Sequence, residues 1–199
     1  MSIRPRAIGE KYYLLILLLA LNWLRPNEAD AAVREYNLEI NQEKVDITGE
    51  EVPAMTLNGG IPGPVLRFKE GDTARIHVRN NMPVETSIHW HGLLLPNNMD
   101  GVPFVTYPPI AANSTFTYEF PIRQKGTYWY HSHTMLQEQS GLYGGVVING
   151  SDEKIDESVD HVVVLSDWTD RDPHEVLRTL KRGSEWFSVE KKGVQFFFK

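Results

Sequence analysis

Ala74-Arg75-Ile76-His77-Val78-Arg79, near the middle of the chain, alternates apolar and polar side chains. Alternation of this kind predicts a β-strand with one apolar face, because successive side chains on a strand point to opposite faces. Dense turn signals interrupt the chain, above all Asn58-Gly59-Gly60-Ile61-Pro62-Gly63-Pro64. Further short strands are predicted on both sides, at 36–40, 45–47, 65–68, 116–120 and 146–148. This pattern is typical of an all-β domain and predicts a Greek-key β-sandwich over about residues 33–150.

Two His-x-His pairs, His89-Trp90-His91 and His131-Ser132-His133, lie in strand-like runs. Residues i and i+2 of a strand point the same way, so each pair offers two imidazoles on one face. A single pair also fits a solvated face or hydrogen-bonded core histidines, but two pairs with Trp90 and Trp129 close by indicate a metal site. If the strands are neighbours, four imidazoles converge. Neutral imidazole suits copper, zinc and iron, and copper(II) binds most tightly of the divalent first-row ions.

The amino-acid composition excludes several kinds of metal site and argues against one class of partner. The 199-residue chain contains no cysteine. It therefore cannot build a disulfide, a zinc–thiolate or iron–sulfur centre, or the cysteine-ligated copper of a blue electron-transfer site. The formal net charge is −6 at pH 7, which argues against a nucleic-acid partner.

Asp100 is the candidate catalytic carboxylate, in the loop Asn98-Met99-Asp100-Gly101-Val102-Pro103 after the first pair. Asp-Gly is a turn former, which is one interpretation. A carboxylate beside a metal site can also move protons to metal-bound oxygen species, and both interpretations stay open. The isolated His77, His161 and His174 lack partners at a ligand spacing, so we predict that they are not ligands.

The N-terminal segment, residues 1–31, has the form of an export signal. Three basic residues (Arg4, Arg6 and Lys11) accompany an apolar run, and Ala29-Asp30-Ala31 resembles a cleavage site. The apolar run is shorter than an ordinary transmembrane helix. We therefore expect no stable membrane insertion after signal cleavage, with a retained membrane anchor as the alternative.

Two further segments follow the signal. Residues 32–150 are predicted to form the first domain, and residues 151–199 a linker and the truncated start of a second unit. Within the second unit, the apolar run at 161–165 predicts a strand. Asp172 followed by Pro173 predicts a helix start, with aspartate as N-cap and proline at the first helical position.

Longer motifs carry a specific resemblance. The chain resembles the first cupredoxin domain of a multicopper oxidase in five stretches: Leu57-Asn58-Gly59, Pro62-Gly63-Pro64, His89-Trp90-His91-Gly92, Asp100-Gly101-Val102-Pro103 and Gly126-Thr127-Tyr128-Trp129-Tyr130-His131-Ser132-His133. Within that superfamily it is similar to the bacterial copper-resistance protein A family, in Leu93-Leu94-Leu95-Pro96, Gln137-Glu138-Gln139 and residues 165–170.

The resemblance implies a cupredoxin-like Greek-key sandwich followed by the start of a second, truncated cupredoxin domain. It also implies a role for each candidate residue. His89 would bind the type 2 copper, His91 a type 3 copper, and His131 and His133 one ion each of the type 3 pair, with Asp100 assisting proton delivery. These histidines are half the ligands of a trinuclear copper cluster. In the family, the type 1 copper with its cysteine and the other four histidines lie in a C-terminal domain.

We therefore expect the copper-binding N-terminal part of an exported, periplasmic copper-resistance multicopper oxidase. The full-length family implies oxidation of a reducing substrate, copper(I) or a phenol, with reduction of dioxygen to water. The alternative is a non-catalytic periplasmic module that binds or sequesters copper ions. A zinc hydrolase is a third hypothesis, but it needs a further ligand and a placed base that the sequence does not offer at motif spacing.

Overall fold

The structure, a computed structural model, describes residues 31–153 and 158–182. Within these residues there are eight strands, a short 3-10 helix at Asn97–Met99 and one α-helix, α1 (Pro173–Lys181). The strands are β1 (Val33–Asp46), β2 (Glu51–Leu57), β3 (Gly63–Lys69), β4 (Thr73–Asn80), β5 (His89–His91), β6 (Thr115–Pro121), β7 (Gly126–His131) and β8 (Tyr143–Asn149). The predicted export signal falls outside the described residues except for Ala31, as does the end of the predicted second unit.

The strands form two four-stranded sheets, with the orders β2-β1-β4-β6 and β3-β8-β7-β5. One parallel pair lies in each sheet, β1 with β4 and β3 with β8, and the other neighbours are antiparallel. From β2 to β7, successive strands lie in alternate sheets, so the chain crosses repeatedly between the layers. The all-β, cupredoxin-like sandwich predicted from the sequence is confirmed.

The core lies between the sheets and explains the alternation in β4. Ala74, Ile76 and Val78 are fully buried, whereas the polar residues between them face outward. Trp90 of β5 packs across the core against Tyr118 and Phe120 of β6, with ring centroids 5.2 and 5.7 Å apart. Because Trp90 points inward, the histidines on either side of it must point away from the core.

The strand predicted at 161–165 does not form, so that prediction is wrong. The segment is extended and alternates in exposure, but it pairs with no strand among the described residues. Val162 and Val164 instead lie over Gly145 of β8, 3.4 and 3.5 Å from the position that a Cβ there would occupy. The side chains of Val162 and Val164 are therefore partly covered by packing on the sheet face, although the segment forms no hydrogen-bond ladder with a strand.

The predicted helix start is confirmed. The Asp172 side chain accepts hydrogen bonds from the backbone N–H groups of His174 and Glu175, and Pro173 occupies the first turn. This is the capping arrangement that satisfies N–H groups left without partners at a helix N-terminus. Over the residues that the structure describes, no helix has the length and apolar character needed to cross a bilayer.

Candidate metal centre

The two His-x-His pairs lie on neighbouring strands. β5 pairs with β7 in an antiparallel ladder that places His89 opposite His131, Trp90 opposite Tyr130 and His91 opposite Trp129. β7 ends at His131, so His133 follows the strand and lies beyond it. The juxtaposition of the two pairs agrees with the sequence pattern, which differs from the structure in predicting a strand at both residues of the second pair.

Four imidazoles converge on the outer face of this strand pair. The ring centroid of His89 lies 5.6 Å from that of His91, 5.4 Å from that of His131 and 5.6 Å from that of His133. One ring nitrogen from each of His89, His91 and His131 lies within 4.8 Å of the others. The ring of His133 is 6.0 Å from that of His131 and completes the group at its exposed side.

The ring of His89 is oriented by the backbone of the Asp100 loop. Nδ1 of His89 lies 2.7 Å from the carbonyl oxygen of Asp100, so Nδ1 donates and Nε2 keeps its lone pair for a ligand. The Asp100 carboxylate lies close as well, with Oδ1 3.5 Å from the same Nδ1. Both interpretations of Asp100 therefore have a structural basis, since it forms the turn and also places a carboxylate beside a candidate ligand.

His131 is held in a single orientation. Trp129 stacks on it with ring centroids 4.1 Å apart and planes 17° apart, and Trp129 also stacks on His91 at 5.0 Å. Nδ1 of His131 faces the carbonyl oxygen of Ser132 at 3.0 Å and Oε2 of Glu138 at 2.7 Å. Nε2 of His131 is left facing Nδ1 of His91 at 3.3 Å.

Burial lowers the pKa of His131 below its ordinary value. The neighbouring His89 and His91 lower it further, whereas the Ser132 carbonyl and the Glu138 carboxylate raise it. The net direction favours the neutral ring. Neutral imidazole is the form that coordinates a metal ion.

A buried polar network supports the second pair from below. The side-chain oxygen of Gln137 accepts hydrogen bonds from the hydroxyls of Thr86 and Ser132, at 2.6 and 2.9 Å. The Gln137 amide group donates to the backbone oxygen of Glu85 at 2.8 Å. Ser87 Oγ accepts from the backbone N–H of His133 at 2.9 Å. The network is not predictable from the sequence, because buried polar contacts between distant segments follow no spacing rule.

The donor set fits copper. Two nitrogens bound to one tetrahedral metal ion at 2.0–2.1 Å lie about 3.3 Å apart, which is the separation of His91 Nδ1 and His131 Nε2. All four side chains are imidazoles, which suit copper, zinc and iron. His77, by contrast, lies in the other sheet and contacts Thr117 and Glu35, and His161 and His174 lie outside the histidine cluster.

Comparison with known proteins decides the family. The multicopper oxidase family model matches residues 39–153, a range that contains the four clustered histidines and Asp100. The chain belongs to the multicopper oxidase family. Membership in this family implies copper as the metal.

Relatives within the multicopper oxidase family agree with this result. Copper resistance protein A of Escherichia coli is 47% identical over 87% of this chain and 29% of its own length. The crystal structure of a laccase from Botrytis aclada is 46% identical, with a TM-score of 0.58 over 60% of this chain and 23% of the laccase. A multicopper oxidase from Pseudomonas thermotolerans is 34% identical, with a TM-score of 0.60 over 62% of this chain and 31% of its own. The chain thus spans less than a third of the length of each.

Proposed function

We propose that this chain supplies half of the copper-binding residues of a multicopper oxidase, with His89, His91, His131 and His133 as the ligands. The observation that carries this proposal is the convergence of His89, His91 and His131, whose ligand nitrogens lie within 4.8 Å of one another. Three of the four lie on two strands whose register is fixed by the ladder between them, and His133 follows the end of β7. Such a preorganised set binds a metal without large rearrangement.

The geometry supports the division of roles that the resemblance implies. Nδ1 of His91 and Nε2 of His131 face each other and fit one type 3 copper ion. His133, which follows the end of β7, is proposed to ligate the other ion of the pair. Nδ1 of His89 is occupied by the Asp100 carbonyl oxygen, so His89 would ligate through Nε2. In this orientation it fits the type 2 copper. The chain therefore offers a half-site of a trinuclear cluster.

Asp100 is proposed as the carboxylate that holds a proton for oxygen reduction. Its side chain is partly exposed and lies 3.5 Å from Nδ1 of His89, so it can exchange protons with water while remaining beside a ligand. The loop that carries it is fixed by its own carbonyl contact to the His89 ring.

The activity of the whole protein is proposed from its relatives. The relative from Escherichia coli is named copper resistance protein A, and others are named laccases. We infer oxidation of copper(I) or a phenol with reduction of dioxygen to water, in an exported, periplasmic protein. A copper cluster supplies the electron transfer to dioxygen when bound, and the residues of this chain hold and orient it. Because electron entry through a type 1 copper needs a thiolate, the 199-residue chain is expected to bind copper without oxidase turnover.

A non-catalytic copper-binding or sequestering module is the second candidate function. The lack of any cysteine in the 199 residues favours it for this chain in isolation. The two candidates agree on the four ligands and differ in whether dioxygen is consumed.

Copper titration of the purified chain tests the ligand assignment. The double variant His131→Ala/His133→Ala should lose most of the binding, since it removes half the imidazoles from the cluster. A matched control, His161→Ala/His174→Ala, removes two exposed histidines outside the cluster and should bind like the unmodified chain.

Oxygen uptake with copper(I) or a phenol separates the two candidate functions. We expect no sustained uptake and no blue absorption from the isolated chain. Binding that is unchanged in His131→Ala/His133→Ala would contradict the proposed ligands, and sustained uptake would show that electrons enter at another site.

A further inference from the structure

Glu138 belongs to neither His-x-His pair, yet its carboxylate reaches the candidate metal centre. Oε2 of Glu138 lies 2.7 Å from Nδ1 of His131. The Glu138 side chain is 47% exposed, whereas that of His131 is 7% exposed. A negative charge is therefore placed at the boundary between solvent and a buried imidazole.

Two oxygens determine which nitrogen of His131 carries the hydrogen. Nδ1 faces the Ser132 carbonyl oxygen at 3.0 Å as well as the Glu138 carboxylate. A lone pair on Nδ1 would repel both oxygens, so Nδ1 is protonated and Nε2 carries the lone pair. Nε2 is the nitrogen that faces His91, at 3.3 Å.

The surroundings keep Glu138 and His131 in place. Trp129 stacks on the His131 ring with an angle of 17° between the planes, which prevents the ring from turning away. Glu138 lines a cavity of about 400 Å³ together with Trp129 and Tyr143. The carboxylate keeps access to water through this cavity, while its field acts on the ring through the poorly polarisable protein interior.

We propose that Glu138 is a positioning residue for the copper site, which holds His131 as an Nε2 ligand and stabilises copper(II) more than copper(I) there. This inference rests on the proposed function. A carboxylate that contacts the far nitrogen of a ligating histidine raises the basicity of the ligand. Its attraction for the bound ion scales with charge, so a divalent ion gains more than a monovalent one.

The test compares Glu138→Gln with the unmodified full chain. This substitution keeps the size of the side chain and removes its charge. We expect the copper(II) affinity to fall 10- to 100-fold, the usual effect of removing such a partner, and the copper(I) affinity to fall less. The reduction potential of the bound copper should then rise, by about 59 mV for each tenfold difference between the two losses.

Glu153→Gln is the matched control. Glu153 is similarly exposed, at 41%, but it lies just beyond the end of β8 that is remote from His131. The same change of charge there should leave both affinities and the potential unaltered. Glu138→Asp is the second variant in case Glu138→Gln fails to fold. It retains the charge but withdraws it from Nδ1, so copper(II) affinity and the potential should shift in the same direction, by less.

The outcomes separate this inference from the proposed function. Loss of copper binding in His131→Ala/His133→Ala, together with unchanged affinities and potential in Glu138→Gln, would overturn only the role of Glu138. Equal losses for both copper ions, without a change of potential, would also overturn it, since they indicate a purely structural contact. Copper binding that survives His131→Ala/His133→Ala would overturn the proposed function itself.

Discussion

Gly101 shows how a single residue fixes the orientation of a candidate ligand. Its backbone φ is +83°, and a Cβ at this position would lie 1.8 Å from the carbonyl oxygen of Ile88. No side chain fits in this space, because the Asp100 loop passes directly against the strand that carries His89. The close approach is what brings the Asp100 carbonyl to 2.7 Å from Nδ1 of His89.

Gly101→Ala should therefore displace this loop and release the His89 ring. We expect a loss of about 3 kcal/mol or more in the free energy of unfolding, from the clash together with the unfavourable backbone conformation. Copper affinity should fall as well. Denaturant unfolding and copper titration measure the two effects.

Gly71→Ala is the control for the backbone contribution. Gly71 has φ +97°, but nothing lies within 4 Å of the position of its Cβ. The substitution Gly71→Ala should lower the free energy of unfolding by only about 1–2 kcal/mol and leave the copper affinity unchanged. Equal losses in the two variants would contradict the importance of the close approach at Gly101.

At this scale the sequence predicts the residues that belong to short motifs. The four histidines follow from the i, i+2 rule, and Asp100 follows from its position after the first pair. Gln137 and Ser87 do not, because their partners are set by folding and are distant in the sequence. In the sequence they look like ordinary polar residues.

Two segments, residues 85–87 and 132–137, are joined beneath the site by buried hydrogen bonds. Gln137 is the centre of this connection, with contacts to Thr86, Ser132 and the backbone oxygen of Glu85. It is 6% exposed, so water cannot replace these partners freely. The network fixes the position of the chain on which His133 lies.

Gln137→Ala should leave two hydroxyls and one carbonyl oxygen without this partner. A buried polar group left unpaired costs about 1–3 kcal/mol, so we expect a loss of about 3 kcal/mol in the free energy of unfolding. Gln139→Ala, two residues away and exposed, should change stability by less than about 0.5 kcal/mol. Thermal unfolding of both variants gives the comparison, and similar values would contradict the role of the network.

The strands differ in how well the sequence predicts them. β4 is predictable because every second residue from Ala74 to Val78 is apolar and buried. β2 is not: its buried positions include Ala54 and Thr56, which are small or polar, and Pro53 lies within it. Proline is tolerated there because β2 is at the edge of its sheet. The run at 161–165 has a strand-like composition, but it packs Val162 and Val164 on a sheet face, and Val163 stays exposed.

At the scale of the whole molecule, buried tyrosine hydroxyls are hydrogen-bonded within the core. Tyr118 is fully buried, donates a hydrogen bond to the hydroxyl of Tyr107 at 2.7 Å and accepts one from the backbone of Ile88. Tyr130 donates to the carbonyl oxygen of Pro64 at 2.9 Å. Burial raises the pKa of Tyr118, Tyr107 and Tyr130 above the ordinary value of a tyrosine.

These buried phenols should make the fold sensitive to alkaline pH. Because the pKa of each is higher in the folded than in the unfolded chain, their contribution is fully present below about pH 10 and is lost as pH rises further. We expect the free energy of unfolding to decline above about pH 10, and the ultraviolet signal of ionised tyrosine to appear with unfolding. Constant stability up to about pH 11 would contradict the assignment.

The cross-strand contact between His91 and His131 has a further consequence, in terms of chain entropy. The two residues are 40 positions apart in sequence, and one copper ion bound by both would be a reversible cross-link that closes the loop between them. To bind one ion with both residues, the unfolded chain must close a loop of that length at an entropic cost of about 4 kcal/mol, so copper binds the folded chain in preference. In a chain with no cysteine, copper would then take the place of a disulfide, and the sandwich would be most stable when copper is abundant.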